Sequence, residues 1–205
     1  MDYAKDLESG SSIKIRKAAQ SIIKNNVSGY CAYLLNALTK EIEKPKAWQT
    51  QCQLIKAIGV SHCELALPFL KELIGKEHKN TILYRELAFS IFILENITTL
   101  NLDFLFESTK KGNVLQISGV CSAILYMKLT PKKEDIKKII AAISPYTEDE
   151  GIIITPRCYI AAVAYLWPHD EVLDFLESCQ KSSFVGLVEI AQDSLLGKES
   201  KVKLI

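Results

Sequence analysis

The sequence predicts an all-α fold in which pairs of helices stack along the chain. Large apolar residues recur with a spacing of 35 through the 205 residues. They are Leu35, Leu70, Leu105, Ile140 and Phe175. A period of roughly 20 to 50 residues is typical of stacked-repeat proteins. The chain also holds only nine Gly and six Pro, too few for the many turns of an all-β fold, which favours long helices.

The position one residue earlier in each repeat follows the same pattern in four of five places. It is occupied by Leu34, Phe69, Phe104, Ile139 and Asp174. Because the apolar positions of each repeat are expected to enter a core, we expect Asp174 to lie on the exposed side of its helix.

Apolar residues at three-to-four spacing, interrupted by Gly, Pro and polar turns, predict eleven helices in order. They cover residues 13–23, 31–42, 48–58, 63–74, 83–94, 102–106, 114–125, 136–143, 160–166, 172–176 and 184–196. Ser11 or Ser12 is expected to cap the first helix. Gly59 is expected to end the third helix, and Ser61 to cap the fourth.

Three prolines are expected near helix starts, where a missing N–H costs little. Pro68 falls in the first turns of the fourth helix. The pairs Thr130-Pro131 and Thr155-Pro156 each resemble an N-cap followed by the first helical position. These pairs therefore predict where the eighth and ninth helices begin.

The chain is expected to form one domain with short ends. Residues 1–10 read as an N-terminal extension, either frayed or a short entry helix, and residues 198–205 as a basic tail. Residues 11–197 form the predicted domain. Inside it, residues 144–151 are acidic and bounded by Pro and Gly, which predicts a loop, and residues 152–155 are strand-like when read alone.

Composition argues against several classes of protein. With 25 basic and 24 acidic residues the net charge is +1, whereas a protein that grips nucleic acid usually carries a basic excess. The six Cys contain no Cys-x-x-Cys pair, which favours a reducing compartment without a disulfide framework. No apolar run approaches eighteen residues, and the N-terminus shows no signal-peptide pattern. We therefore expect a cytoplasmic protein that does not bind nucleic acid or membranes.

The sequence offers no motif for catalysis or for a cofactor. His62 and Cys63, even with Cys52, do not match a zinc-ligand spacing. Adjacent helical residues point about 100° apart, so His62 and Cys63 are not placed as a base and a nucleophile. The chain lacks Gly-x-Ser-x-Gly, a glycine-rich phosphate loop and His-Glu-x-x-His. We expect no catalytic residue, no metal site and no cofactor.

A polar Arg or Gln stands ahead of small apolar residues in the first helix of several predicted pairs, and one second helix carries an early proline. The segments concerned are Arg16-Lys17-Ala18-Ala19, Gln51 through Gly59 with Leu67-Pro68-Phe69-Leu70, and Arg85-Glu86-Leu87-Ala88. In these segments the chain resembles HEAT repeats of the armadillo-like family. The resemblance implies a right-handed α-α superhelix of about five helix pairs with a C-terminal capping helix. It also implies a contact surface on the second helices of the pairs.

Acidic residues gather on the later second helices. The candidate partner-binding residues are Asp103, Glu107, Asp135, Asp170, Asp174 and Glu177. If these helices line one surface, it would attract a basic partner. The alternative explanation is that Asp and Glu favour the first turns of helices, where the helix dipole stabilises them. The preferred function is a non-enzymatic protein-binding module, in its most specific form an immunity or inhibitor protein that neutralises a basic toxin such as a nuclease.

The alternative function is a DNA-binding protein of the alkylpurine DNA glycosylase type, a family that this chain resembles in length and in HEAT-like architecture. Such a site needs aromatic walls, an acid and cations for phosphates. The candidates are Trp48 and Trp167 for the walls, Asp170 for the acid, and Arg85 and Arg157 for the cations. The competing explanation is that both Trp side chains pack between repeats.

Overall fold

The computed structural model describes residues 2–147 and 155–204. Within these ranges the regular structure is entirely helical, with twelve α-helices, two short 3-10 segments and no strand. The predicted all-α class is confirmed. The chain divides into two compact units, Met1–Asn101 and Leu102–Ile205, called unit 1 and unit 2 below.

Unit 1 holds six α-helices in two layers. They are α1 (Tyr3–Leu7), α2 (Ser12–Asn25), α3 (Cys31–Glu41), α4 (Trp48–Val60), α5 (Leu67–Ile74) and α6 (Ile82–Glu95), with a 3-10 segment at Glu64–Ala66. Helix α4 packs against α2 and α6, so these three form one layer. Helix α3 packs on α4 and α5 packs on α6 from the other layer. Each helix is thereby covered by elements one or two places away in the chain.

Unit 2 repeats this arrangement with six more helices. They are α7 (Asp103–Lys110), α8 (Val114–Tyr126), α9 (Lys133–Ile143), α10 (Pro156–Val163), α11 (His169–Cys179) and α12 (Val185–Leu195), with a 3-10 segment at Ala164–Leu166. Helix α10 packs against α8 and α12. Helix α9 contacts α7 and α11 in the second layer. Within each unit the first helices of the predicted pairs thus lie side by side, and in unit 2 so do the second helices α7, α9 and α11.

The buried positions keep the predicted period with small changes of phase. The buried set is Leu34, Leu70, Leu105, Ile139 and Phe175, all exposed by 5% or less. Leu35 and Ile140 are only half-buried, so the core position in α3 and α9 lies one residue earlier than the 35-residue period predicts. Asp174 is exposed, as predicted. Variable loop lengths explain the shifts, because one residue rotates a helical side chain by about 100°.

Side-chain hydrogen bonds between consecutive predicted pairs keep a similar spacing. Ser61 Oγ donates to the Val27 carbonyl at 3.0 Å and Ser90 Oγ to the Ile55 carbonyl at 2.7 Å, across 34 and 35 residues. In unit 2, Trp167 Nε1 donates to the Leu129 carbonyl at 2.7 Å, across 38 residues. Ser194 Oγ donates to the Ala161 carbonyl at 2.5 Å, across 33 residues. These bonds join consecutive repeats.

Some predicted helix ends are wrong. Gly59 lies inside α4, where it allows close approach of α6: an added Cβ would lie 2.6 Å from Ser90 Oγ. Ser61 follows α4 and bonds back to Val27, so it does not cap the next helix. Helix α9 begins at Lys133, two residues beyond Pro131. Tertiary packing overrides the local signals at these positions.

Other predicted starts agree with the structure. Ser11 is the N-cap of α2, Pro68 lies in the first turn of α5, and Thr155-Pro156 opens α10. The predicted loop at residues 144–151 and the strand-like residues 152–155 fall largely outside the described residues. Within residues 2–147 and 155–204, no helix combines the length and apolar character needed to cross a bilayer.

Candidate binding surfaces

A groove opens on unit 1 between side chains of α2, α4 and α6. Its volume is about 390 Å³. It is lined by Arg16, Lys17, Gln20, Trp48, Gln49, Cys52, Gln53, Ile82, Arg85 and Glu86. A second cavity of about 380 Å³ shares Arg16 and Gln49 with it and extends along the start of α2 and the loop before α4. We call the two cavities together the basic groove.

The basic groove has an excess of positive charge. Its lining includes the cations Arg16, Lys17, Lys44, Lys46 and Arg85, and one carboxylate, that of Glu86. Two of the cations are ion-paired: Lys44 Nζ lies 2.5 Å from Glu41 Oε1, and Arg85 Nη2 lies 2.6 Å from Glu86 Oε1. The remaining three have no ion pair within the described residues. An anionic group would therefore be attracted here.

Buried polar contacts hold the rim of the groove in place. Glu41 is fully buried and accepts a hydrogen bond from Ser12 Oγ at 2.6 Å. Gln51 Nε2 donates to the carbonyls of Glu41 at 2.8 Å and Lys44 at 2.9 Å. Thr50 Oγ1 donates to the Ser12 carbonyl at 3.0 Å. Because these bonds join α2, α4 and the loop between α3 and α4, the rim is pre-organised.

Two large apolar side chains accompany the cations. Trp48 opens the first turn of α4 and is 38% exposed, and Ile13 near the start of α2 is 59% exposed. Arg16 donates a hydrogen bond to Gln49 Oε1, which places its guanidinium between the two cavities. The groove thus combines cations, amides and apolar surface.

The Cys52 thiol in the groove wall is not a nucleophile at neutral pH. Burial, assisted by the negative charge of Glu86, raises the pKa of Cys52 from 9.0 to about 12. A thiol reacts through its thiolate, so Cys52 serves as a small apolar wall. Behind it, the Lys56 ammonium lies 5.2 Å above the Phe89 ring, and burial lowers the pKa of Lys56.

The six sequence-predicted acidic residues all lie in unit 2, on α7, α9 and α11. Five are exposed, namely Asp103, Glu107, Asp170, Asp174 and Glu177, and Asp135 is half-buried. Lysines of α9 neutralise part of this surface: Lys133 Nζ lies 3.2 Å from Asp170 Oδ2, and Lys138 Nζ lies 3.4 Å from Asp135 Oδ1. The contact with Lys133 lowers the pKa of Asp170. This layer carries mixed charge.

Helix α11 presents the most continuous acidic face. Asp170, Asp174 and Glu177 are spaced by four and three residues, so they share one side of the helix. Asp174 and Glu177 have no ion pair within the described residues. Glu171, by contrast, is half-buried and lies 3.3 Å from both Lys133 and Lys137. The acidic character is concentrated toward the C-terminal half of α11.

The residues predicted for a glycosylase site fall in both units: Trp48 and Arg85 lie in unit 1, and Arg157, Trp167 and Asp170 lie in unit 2. Trp167 is 5% exposed and its Nε1 donates to the Leu129 carbonyl across 38 residues, which agrees with the expectation that it packs between repeats. Trp48 is 38% exposed. Arg157 is 6% exposed and donates to Ser178 Oγ at 3.1 Å. Trp48 and Arg85 line the same cavity of unit 1.

His62, Cys52 and Cys63 also show no metal-binding arrangement. His62 is exposed with a left-handed backbone, φ 53°, whereas Cys63 is 3% exposed. Burial and the neighbouring Cys31 thiol raise the pKa of Cys63. No group of three or more His, Cys, Asp or Glu side chains suited to a metal ion occurs in the part of the chain that the structure describes.

Sequence reasoning missed the basic groove although one signal was present. Arg16 and Arg85 stand at corresponding places in the first helices of their pairs, where they serve as markers of the repeat. Their common location in one groove depends on α4 packing between α2 and α6. Comparison with protein-family models, curated proteins and solved structures finds no match to this chain.

Proposed function

We propose that the chain is a non-enzymatic protein-binding module with the HEAT-like architecture that its repeats suggest. In this proposal the helix pairs continue as a right-handed superhelix of about five pairs that ends in α12 as a cap. The side-by-side order α2, α4, α6 and α8, α10, α12 supports it, as do hydrogen bonds that recur at 33 to 38 residues. Single helix pairs cannot bury their apolar faces alone, so stacking completes the core.

The observation that carries the binding function is the exposed acidic face of α11. Asp174 and Glu177 remain without an ion pair in the described residues although lysines are abundant on α9. A basic partner protein would complement them and would associate faster because of the attraction. The specific form that we propose is an immunity or inhibitor protein that covers a basic toxin or nuclease.

A reducing, cytoplasmic location is part of the same proposal. None of the six cysteines is in a disulfide, and five of them are buried. This use of cysteine as a small apolar residue is typical of proteins kept in a reducing compartment.

The test is capture of partners from the native cytoplasm with the wild-type chain and with a variant that carries Asp174→Lys and Glu177→Lys. We expect the captured protein to be basic and its affinity to fall about tenfold or more in the variant. A second variant adds Asp103→Lys and Glu107→Lys. The matched control is Glu189→Lys, an exposed acid on α12, which should bind normally. Undiminished capture by the four-site variant would exclude the acidic surface.

The glycosylase-type alternative rests on one observation, that Trp48 and Arg85 line a single basic groove. Under this alternative, duplex DNA binds at low salt and weakens steeply as salt is added. Arg85→Gln should then reduce binding, and Trp167→Phe should leave it unchanged, since Trp167 is internal. No duplex binding at low salt would remove this alternative.

A further inference from the structure

We propose that the basic groove of unit 1 binds an extended acidic segment of a partner protein that also carries apolar side chains. This inference rests on the proposed function only in that the chain binds proteins. It concerns a different surface, and its occupant is acidic, whereas the partner proposed for α11 is basic. It follows from four features of the groove: its cations, its exposed apolar residues, its amides and its single carboxylate.

The cations select an acidic occupant. Arg16, Lys17 and Lys46 line the groove from α2 and from the loop before α4, with no ion pair within the described residues. Arg85 adds a guanidinium whose charge is shared with Glu86. Aspartate and glutamate side chains would supply the missing counter-charges, and Arg can bind a carboxylate through two hydrogen bonds.

The exposed apolar residues select a peptide that is not purely charged. Trp48 is 38% exposed and Ile13 is 59% exposed, and each belongs to one of the two adjoining cavities. Trp and Arg are the residue types most enriched among side chains that dominate protein–protein affinity. Burying Trp48 and Ile13 under apolar side chains of the partner would add affinity that charge alone cannot provide.

The amides suit a peptide backbone. Gln20, Gln49 and Gln53 line the same cavity from α2 and α4, and each carries one carbonyl and one amino group. An extended peptide presents N–H and C=O groups in alternation, which such side chains can satisfy. The rim that holds these helices is already fixed by buried bonds from Gln51 and Thr50, so little ordering is needed on binding.

The remaining charges favour a peptide over a nucleic-acid strand. Glu86 lines the groove, and its carboxylate can accept a hydrogen bond from a peptide N–H, whereas a phosphodiester backbone has no such donor. Unit 1 carries 13 Lys and Arg against 10 Asp and Glu, a small excess for a phosphate-binding surface. A strand would also need a longer basic track than these two cavities provide.

The experiment is a selection of random peptides displayed on phage against the immobilised full-length chain. We expect the selected sequences to be enriched in Asp and Glu together with apolar residues. The consensus peptide is then synthesised and titrated, and Trp48 fluorescence should change on binding, whereas the Trp48→Phe variant, which keeps only the buried Trp167, should show no change. Selection of no peptides, or of peptides without acidic enrichment, would overturn the proposal.

Substitutions locate the site and separate the possible outcomes. Lys17→Glu and Arg16→Gln should each weaken the consensus peptide about tenfold, whereas Lys24→Glu, an equal charge change at an exposed site on the same helix outside the groove, should not. The Asp174→Lys and Glu177→Lys variant should bind the peptide normally, so failure of the acidic surface and failure of the groove are distinguishable. Equal loss of peptide affinity with Lys17→Glu and Lys24→Glu would count against a peptide site. So would a single-stranded oligonucleotide that displaces a labelled peptide at a lower concentration than the unlabelled peptide does.

Discussion

At the level of single residues, two buried charged side chains have hydrogen-bond partners that join neighbouring elements. Glu41 is fully buried, yet its carboxylate oxygens contact Ser12 Oγ and Lys44 Nζ. Arg157 is 6% exposed and donates to Ser178 and to Cys179 Sγ. Burying such groups without partners would lower the free energy of unfolding by roughly several kcal/mol, so these contacts stabilise the fold.

The first residue-scale prediction concerns Cys52 and alkaline pH. The folded thiol has a pKa of about 12 and the unfolded thiol one near 9.0, so the unfolded chain releases the proton first. Stability from Cys52 is therefore complete below pH 9.0 and is lost as pH rises toward about 12. When the pH is raised from about 8 to about 10, the free energy of unfolding measured with urea should fall by about 1 kcal/mol more for the wild type than for Cys52→Ala. Equal losses would contradict the assignment.

A second residue-scale prediction separates the two tryptophans. Trp167→Phe removes the hydrogen bond to the Leu129 carbonyl and should lower the free energy of unfolding by about 1–2 kcal/mol. Trp48→Phe is the matched control: Trp48 is 38% exposed, so we expect a change within about 0.5 kcal/mol. Denaturation followed by far-UV circular dichroism measures both. A larger cost at Trp48 would show that the structural roles are reversed.

At the level of elements, the close approach of α4 and α6 depends on one glycine. Ala is normally the better residue inside a helix, by about 1 kcal/mol. At Gly59, however, a Cβ would lie 2.8 Å from the Ser90 Cα, a backbone atom that cannot turn aside. The hydrogen bond from Ser90 Oγ to the Ile55 carbonyl holds the same crossing at 2.7 Å.

The element-scale prediction is that Gly59→Ala destabilises unit 1 by about 1–3 kcal/mol, because α4 and α6 must move apart. Gly75→Ala provides the comparison, since a Cβ there would meet its nearest neighbour at 3.5 Å, an ordinary contact. That variant should be neutral or stabilised by about 0.4–1 kcal/mol. Thermal and urea denaturation would measure the pair, and a stabilised Gly59→Ala variant would refute the close-packing explanation.

At the level of the whole molecule, a nearly neutral chain hides two units of opposite charge. Unit 1 has 13 basic and 10 acidic residues, and unit 2 has 12 basic and 14 acidic residues. The total of +1 argues against a basic binding surface only when charge is assumed to be evenly spread. The basic groove and the acidic face of α11 are the local consequences of this division.

The whole-molecule prediction uses the tryptophans as one reporter for each unit. Trp48 belongs to unit 1 and Trp167 to unit 2, so single-tryptophan variants follow the units separately. Adding Gly59→Ala should lower the unfolding midpoint more where Trp48 is the reporter, because Ser90, which the added Cβ would meet, lies in unit 1. Fluorescence-detected urea denaturation measures both midpoints. Equal shifts would mean that the chain unfolds as a single cooperative structure.

The helical class, the approximate helix positions and the repeat could be read from the order of residues. These features depend on spacing along the chain: apolar residues every three or four positions, and the buried Leu70, Leu105 and Phe175 separated by multiples of 35. The exposure of Asp174 followed from the same pattern. Signals at helix ends were less reliable, because Gly59 and Ser61 serve contacts with distant helices that no local pattern records.

The binding surfaces depended on the packing of helices far apart in sequence. Arg16, Trp48 and Arg85 line one groove only because α4 packs against both α2 and α6. Likewise, Asp170 on α11 is partly neutralised because α9 brings Lys133 beside it. Periodicity indicates which face of a helix is buried, but the neighbours of an exposed side chain depend on crossing geometry and loop length. Crossing geometry and loop length are properties of the folded chain. They determine which charged side chains form ion pairs within the protein and which remain available to a partner.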